Sequence, residues 1–213
     1  MATVATRVGY LEGAGDNVAE CLSAAGYNVE LLSENTILEG DLSRFDAIVT
    51  GVRAYNTNER IGSYQAKLMD YVKKGGVLIV QYNTSNFLGT VKSDVGPYPF
   101  KISRDRVTDE NSPVNFLQKE HRVLNFPNKI KQKDFEGWVQ ERGLYCAGET
   151  DSLYQKVLGM SDPGEKNLDG SLIIADFGEG KFVYTGISFF RQLPAGVPGA
   201  YRLMSNLINL GKQ

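Results

Sequence analysis

One histidine, His121, and two cysteines, Cys21 and Cys146, are the whole imidazole and thiol supply of this 213-residue chain. That scarcity excludes multi-histidine metal sites, and two thiols cannot close a four-thiolate site. Any nucleophile–imidazole pair has to use His121. It lies among charges in Lys119-Glu120-His121-Arg122, the setting of a solvated residue, and becomes a general base only if a carboxylate orients it. Asp134, Glu136 and Glu141 surround Trp138, with Arg142 next. In a sugar site the ring would stack on a pyranose while acids and Arg take the hydroxyls, with paired carboxylates able to do hydrolysis. The same residues also describe a charged loop around a core tryptophan. Three other groups could hold a polar ligand: Arg53, Tyr55 and Asn56; Gln81, Tyr82 and Asn83; and Arg191, which can pair with Glu136 or Glu141 or grip an anion.

The elements that must position these side chains follow from periodicity. Arg7–Leu11 reads as a strand. Gly13 and Gly15 follow, then Asp16 as a helix cap. Val18, Cys21, Leu22 and Ala25 recur at helical spacing, and Gly26 ends that helix. Cys21 falls on its apolar stripe, as a small core residue would; a disulfide to Cys146 has no positive support. Tyr27, Val29 and Leu31 alternate as a second strand. Phe45–Val52 is a third, apolar enough to be buried on both faces. A helix over 60–74 ends at Gly75-Gly76, and Val77–Val80 is a fourth strand. The order β-α-β-β-α-β predicts parallel pairing with helices on the sheet faces. Residues 85–150 read as a loop-rich insertion with a short strand over Tyr98–Ile102. Ser171–Asp176 and Lys181–Ile187 form an antiparallel pair across Gly178-Glu179-Gly180, and the chain closes in an amphipathic helix from Ala200 through Leu210. The expected architecture is a single domain over 1–213: a doubly wound, mostly parallel flavodoxin-like α/β sheet with an antiparallel edge and the 85–150 cover.

In such a sheet, ligands bind outside the carboxyl ends of the strands. Four segments arrive there: Glu12–Asn17, Arg53–Asn56, Gln81–Asn86 and Ser188–Gln192. The glycines at 9, 13 and 15 do not match G-x-G-x-x-G and no P-loop lysine follows; a tight strand-to-helix turn accounts for them, and Asp16 would repel an anion. Thr50-Gly51-Val52-Arg53-Ala54-Tyr55-Asn56, the run Gly75–Thr84, Gly137–Tyr145 and Tyr184–Gly196 together resemble the class I glutamine amidotransferase-like domain found C-terminal to bacterial PIG-L (LmbE-like) sugar deacetylases. More distantly the chain resembles trehalose-utilisation (ThuA-like) proteins. The first resemblance covers nearly the whole chain and implies a linked deacetylase domain, since the zinc-binding His/Asp motif of that enzyme is missing here. An amidotransferase would carry its catalytic Cys after the fourth strand, on a cramped elbow. This chain has Gln81-Tyr82-Asn83 there, with Tyr82 where ThuA-like proteins tend to carry His, and Ser188-Phe189-Phe190 where the catalytic His would follow the last strand. The triad is absent.

The expected ligand-binding set is therefore Arg53, Tyr55, Asn56, Gln81, Tyr82, Asn83, Glu136, Trp138, Glu141, Arg142 and Arg191, with no catalytic residue, metal or cofactor. The leading expectation is a non-catalytic domain binding a small polar ligand, carbohydrate first, beside a deacetylase. Two alternatives stay open: a hydrolase acting on sugars through Glu136, Glu141 or His121, and a structural or homodimerising module. A net charge of −2 argues against nucleic acid, and no apolar run is long enough to span a membrane. The N-terminus lacks the apolar stretch of a signal peptide, which reads as cytoplasmic, or periplasmic if the domain is cut from an exported chain.

Overall fold

The protein is described by a computed structural model, which covers residues 1–85 and 90–212. The first half alternates strands and helices: β1 (Arg7–Leu11), α1 (Val18–Ala24), β2 (Asn28–Leu31), α2 (Glu34–Glu39), β3 (Ala47–Thr50), α3 (Ala54–Thr57), α4 (Ile61–Lys73) and β4 (Val77–Gln81). Short strands follow: β5 (Phe100–Ile102), β6 (Arg106–Val107), β7 (Val114–Phe116), β8 (Gly143–Leu144), β9 (Ala147–Thr150), β10 (Tyr154–Lys156) and β11 (Leu158–Met160). The chain then returns to long elements, β12 (Leu172–Phe177), β13 (Gly180–Thr185), α5 (Phe189–Gln192) and α6 (Pro198–Ile208).

Seven strands form the main sheet in the order β10-β12-β13-β4-β3-β1-β2. From β13 to β2 the neighbours are parallel; β12 and β10 form the antiparallel edge. This is the doubly wound, flavodoxin-like α/β arrangement. Alternate residues of the central strands enter two cores. Ala47, Val49, Val77, Ile79 and Val183 pack with α1 and α6, while Ile48, Leu78, Val80, Phe182 and Tyr184 pack with α2 and α4. Burial on both faces is why β3 and β4 read as unbroken apolar runs.

Several expectations need correction. The link from β2 to β3 is not direct: α2 intervenes, capped by Ser33, whose hydroxyl accepts the Thr36 amide at 3.1 Å. At six residues it is too short for apolar periodicity to announce it. Asp16 is not the N-cap residue, which is Asn17, although its carboxylate does accept the Val18 amide at 3.0 Å. The segment over 85–150 is less loop-like than expected. β5 falls within the strand expected over Tyr98–Ile102; beyond it, β5 pairs with β9, β6 with β8, and β7 with β11 just past the segment, two or three residues at a time. Both cysteines are free thiols. Asn86, included in the expected fourth-strand segment, lies outside the described residues. Among the described residues no helix is long and apolar enough to cross a membrane, and no cluster of three or more His, Cys, Asp or Glu could hold a metal.

Candidate functional site

Strand order reverses between β1 and β3, the usual ligand crevice of such a sheet. Here the two loops close on each other. The Ala14 amide donates to Val52 O at 2.8 Å, and a Cβ on Gly13 would sit 2.2 Å from that same carbonyl. Asp16 seals the join: its carboxylate accepts the Val52 amide at 2.9 Å and the Tyr10 hydroxyl. Behind it, Gln81 Nε2 donates to the Tyr10 oxygen and to Thr50 O, each at 3.2 Å, so Gln81 is a buried support. The open strand-end surface lies further along, at β4 and β13.

The loop after β3 is tied to the loop after β4 by hydrogen bonds. Arg53 N donates to Tyr82 O at 2.8 Å, Tyr55 N to Asn83 Oδ1 at 2.9 Å, and the Asn56 amide exchanges bonds with the Thr84 backbone at 2.8 and 3.0 Å. Tyr55, Asn56 and Asn83 are buried in this work, and the Tyr55 hydroxyl donates to Gln65 at 2.8 Å. What these ties hold up is Tyr82, half-buried, its ring parallel to Tyr145 at 5.8 Å and tilted against Phe190 at 5.3 Å.

Glu141 approaches from the other side. It is only 5% exposed, accepting Arg191 Nε at 2.7 Å and Arg106 Nη2 at 3.4 Å. Its backbone is fixed by residues after β13: Ser188 Oγ and Gln192 Nε2 both donate to Glu141 O, and Gln192 bonds Val139 in both directions. The Tyr82 hydroxyl feels all these groups. Burial raises its pKa, the cations Arg53 and Arg191 pull it down, and Glu141 pushes it up.

Backbone strain marks the same place. Among the described residues, three other than glycine have a left-handed φ: Arg53 at 60°, Gln140 at 65° and Tyr145 at 51°. Arg53 bonds the Tyr82 carbonyl, Tyr145 stacks on Tyr82, and Gln140 precedes Glu141. Such conformations persist only where the surroundings over-determine them, and they gather at ligand sites. Tyr145 is held by Tyr184, whose hydroxyl donates to its carbonyl at 2.7 Å.

Arg53, Tyr82, Glu141 and Arg191 of the expected set thus come together, joined by Tyr145, Phe190 and Arg106. Phe190 lay within the expected Ser188–Gln192 segment, whereas Tyr145 and Arg106 carried little signal: the positive φ of Tyr145 leaves no mark in composition. Tyr55, Asn56, Gln81 and Asn83 stand behind this group as buried supports, and Glu136, Trp138 and Arg142 lie apart from it. Trp138 is 4% exposed, stacked on Phe135 at 5.5 Å, with its indole donating to Asp134 O at 2.9 Å. A ring so enclosed has no face for a pyranose. Arg142 is buried beside it and donates to Ser112 O and Phe135 O; burial lowers its pKa to about 10, so it stays charged at neutral pH. Glu136 is exposed in a separate recess with Lys129, Lys131 and Lys133. His121 is near Lys181, at the start of β13, whereas Tyr82 adjoins the end of that strand. A larger recess, about 760 Å³, runs from Thr84 and Ser85 along Tyr98 and Phe100.

A scan of protein families finds no match, and no curated protein matches the chain. Solved structures do. A cytoplasmic protein of Salmonella typhimurium LT2 aligns over 98% of this chain and 100% of its own, with a TM-score of 0.59 at 14% identity. A GMP synthase component from Thermoplasma acidophilum aligns over 99% and 96%, with a TM-score of 0.57 at 7% identity. A β-galactosidase from Rahnella sp. R3 aligns over 95% of this chain but 31% of its own, with a TM-score of 0.53 at 13% identity. At these identities the likeness is one of fold: the flavodoxin-like α/β sheet is shared with the GMP synthase structure over nearly the whole of both chains.

Proposed function

We propose that this chain is a non-catalytic amidotransferase-like domain that binds a small polar ligand, carbohydrate as the leading class, on the ledge formed by Tyr82, Tyr145 and Arg191. The observation that carries the reading is the convergence of strained backbone on an aromatic and guanidinium cluster, at the strand end where an amidotransferase would place its nucleophile. Tyr82 follows β4 there, and Ser188 is bound to the Glu141 carbonyl where a catalytic His would stand. Parallel tyrosines offer ring faces and the arginines offer donors, a combination suited to a hydroxylated ring. The β-galactosidase whose chain includes this fold lends the carbohydrate class support, and the resemblance to the domain beside PIG-L deacetylases, with ThuA-like proteins further off, suggests an accessory role next to such an enzyme.

A sugar hydrolase working through Glu136, Glu141 or His121 has less behind it. Glu136 and His121 lie away from the ledge, and Glu141 is engaged by two arginines. Isothermal titration tests the proposal with amino sugars, neutral oligosaccharides and acidic sugars, on wild type and on Tyr82→Ala. Saturable binding by at least one sugar, weakened about tenfold or more by the substitution, is expected. A folded protein that binds none of the panel would overturn it.

A further inference from the structure

Resting on that reading, we infer that the ligand of the ledge carries an oxyanion, a carboxylate or a phosphate, which Arg53 grips together with Arg191. The chain as a whole has a net charge of −2, yet two guanidinium groups, Arg106 and Arg191, bind one carboxylate here, and a third arginine, Arg53, bonds Tyr82 through its backbone. Glu141 does not use them up. Its two oxygens take Arg191 Nε and Arg106 Nη2, and neither takes Arg53. Arg53 makes no side-chain hydrogen bond among the described residues, and its Nε is shielded from solvent with no acceptor. The Nη groups are not shielded in this way and are the donors open to a ligand.

The backbone repeats the argument. At φ 60° glycine would be the easy residue, and an arginine there accepts strain in order to stand at this loop. Among the described residues Arg191 is hydrogen-bonded through Nε alone, and its guanidinium lies 4.8 Å over the Phe190 ring, which leaves its two Nη groups for a second acceptor. Arg53 bonds the Tyr82 carbonyl through its backbone, and Arg191 lies over Phe190, which packs against the Tyr82 ring, so both residues flank the ledge. Planar guanidinium groups match carboxylate and phosphate oxygens two at a time, which a neutral hydroxyl cannot reproduce.

The probes are glucuronate, glucose 6-phosphate, inorganic phosphate and glucose, titrated against wild type and Arg53→Asn, at low and high salt. Asparagine tolerates the left-handed conformation and removes the charge. At least one acidic sugar is expected to bind ten times or more tighter than glucose, to weaken with salt, and to lose about tenfold in the variant. Preference for glucuronate or for glucose 6-phosphate then identifies the carboxylate or the phosphate. Inorganic phosphate alone, bound equally by both proteins, overturns the inference. So does binding of glucose and both acids with equal affinity, although a Tyr82-dependent glucose site would leave the proposed function standing. Absence of all binding by a folded protein overturns the inference and leaves the proposed function to the amino sugars and oligosaccharides of its own panel.

Discussion

His121 is the one imidazole, and its surroundings fix what it can do. Nδ1 accepts the Val123 amide at 3.1 Å and so caps the short turn over Arg122–Leu124. Burial lowers its pKa, Lys181 lowers it further, and Asp176 acts the other way. The unfolded chain therefore binds a proton at a pH where the folded chain does not. Stability from this group is fully present above the unfolded pKa, about 6.5, and is lost as pH falls toward the lower folded value. The slope stays well under the one-proton limit of about 1.4 kcal/mol per pH unit, since the half-buried ring is partly screened by water. Asn at this position keeps an acceptor for the cap and does not titrate. Urea unfolding at pH 7.5 and 5.5 should show wild type losing stability relative to His121→Asn on acidification, and an unchanged difference would exclude the linkage.

At the scale of elements, the ledge depends on two adjacent loops that keep each other in place. Asn83 is the central tie: Oδ1 takes the Tyr55 amide and Nδ2 donates to Gln81 O at 3.0 Å, all within the buried core. Asn83→Ala strands both partners, which should cost about 2–4 kcal/mol. Hydrogen exchange is the sharper measurement, because the Tyr55 amide should exchange much faster while amides in α6 change only with global stability. Equal protection of Tyr55 in both proteins would place the tie elsewhere. Elements of this kind also show what the sequence could and could not reveal. β3, β4, β12 and α4 are long enough for periodicity to speak, so the sheet and its strand-end loops were legible. α2 and the two- to four-residue strands after β4 were not, apart from β5 within the expected Tyr98–Ile102, because pairing between distant segments decides them. Tyr55, Asn56 and Asn83 were legible as strand-end polar residues, but only coordinates separate a side chain that ties loops from one that meets a ligand. Trp138 misled for the opposite reason: acidic neighbours in sequence suggested a surface, while Phe135 and Arg142 enclose the ring in space.

Over the whole molecule, the first and last segments of the described chain are bound to each other. Asn209, just past α6, accepts the amides of Val4 and Ala5 at 2.9 and 2.7 Å, and its Nδ2 donates to Thr3 Oγ1 and Ser205 O. Asn206, one turn earlier, holds the Val123 and Asn128 carbonyls at 2.7 Å, and Asn128 in turn bonds both backbone groups of Ala2. These asparagines join α6, the N-terminal segment and the cover that carries Glu141 into one body. Each is fully or almost fully buried, so their bonds are made out of water and unmet partners are expensive. Asn209→Ala leaves the fully buried Ala5 amide without an acceptor and should cost about 2–4 kcal/mol, or roughly 5–15 °C in Tm for a chain this size. Asn209→Asp keeps an acceptor but replaces the Nδ2 donor by an oxygen facing Ser205 O in a fully buried site, so it should destabilise as well. Thermal unfolding of Asn209→Ala with an unchanged Tm would show that the acceptor role is not what matters. The ledge at the far end of β4 should keep its ligand affinity in both variants under conditions where they remain folded, because no side chain of this asparagine network touches Tyr82, Arg53 or Arg191.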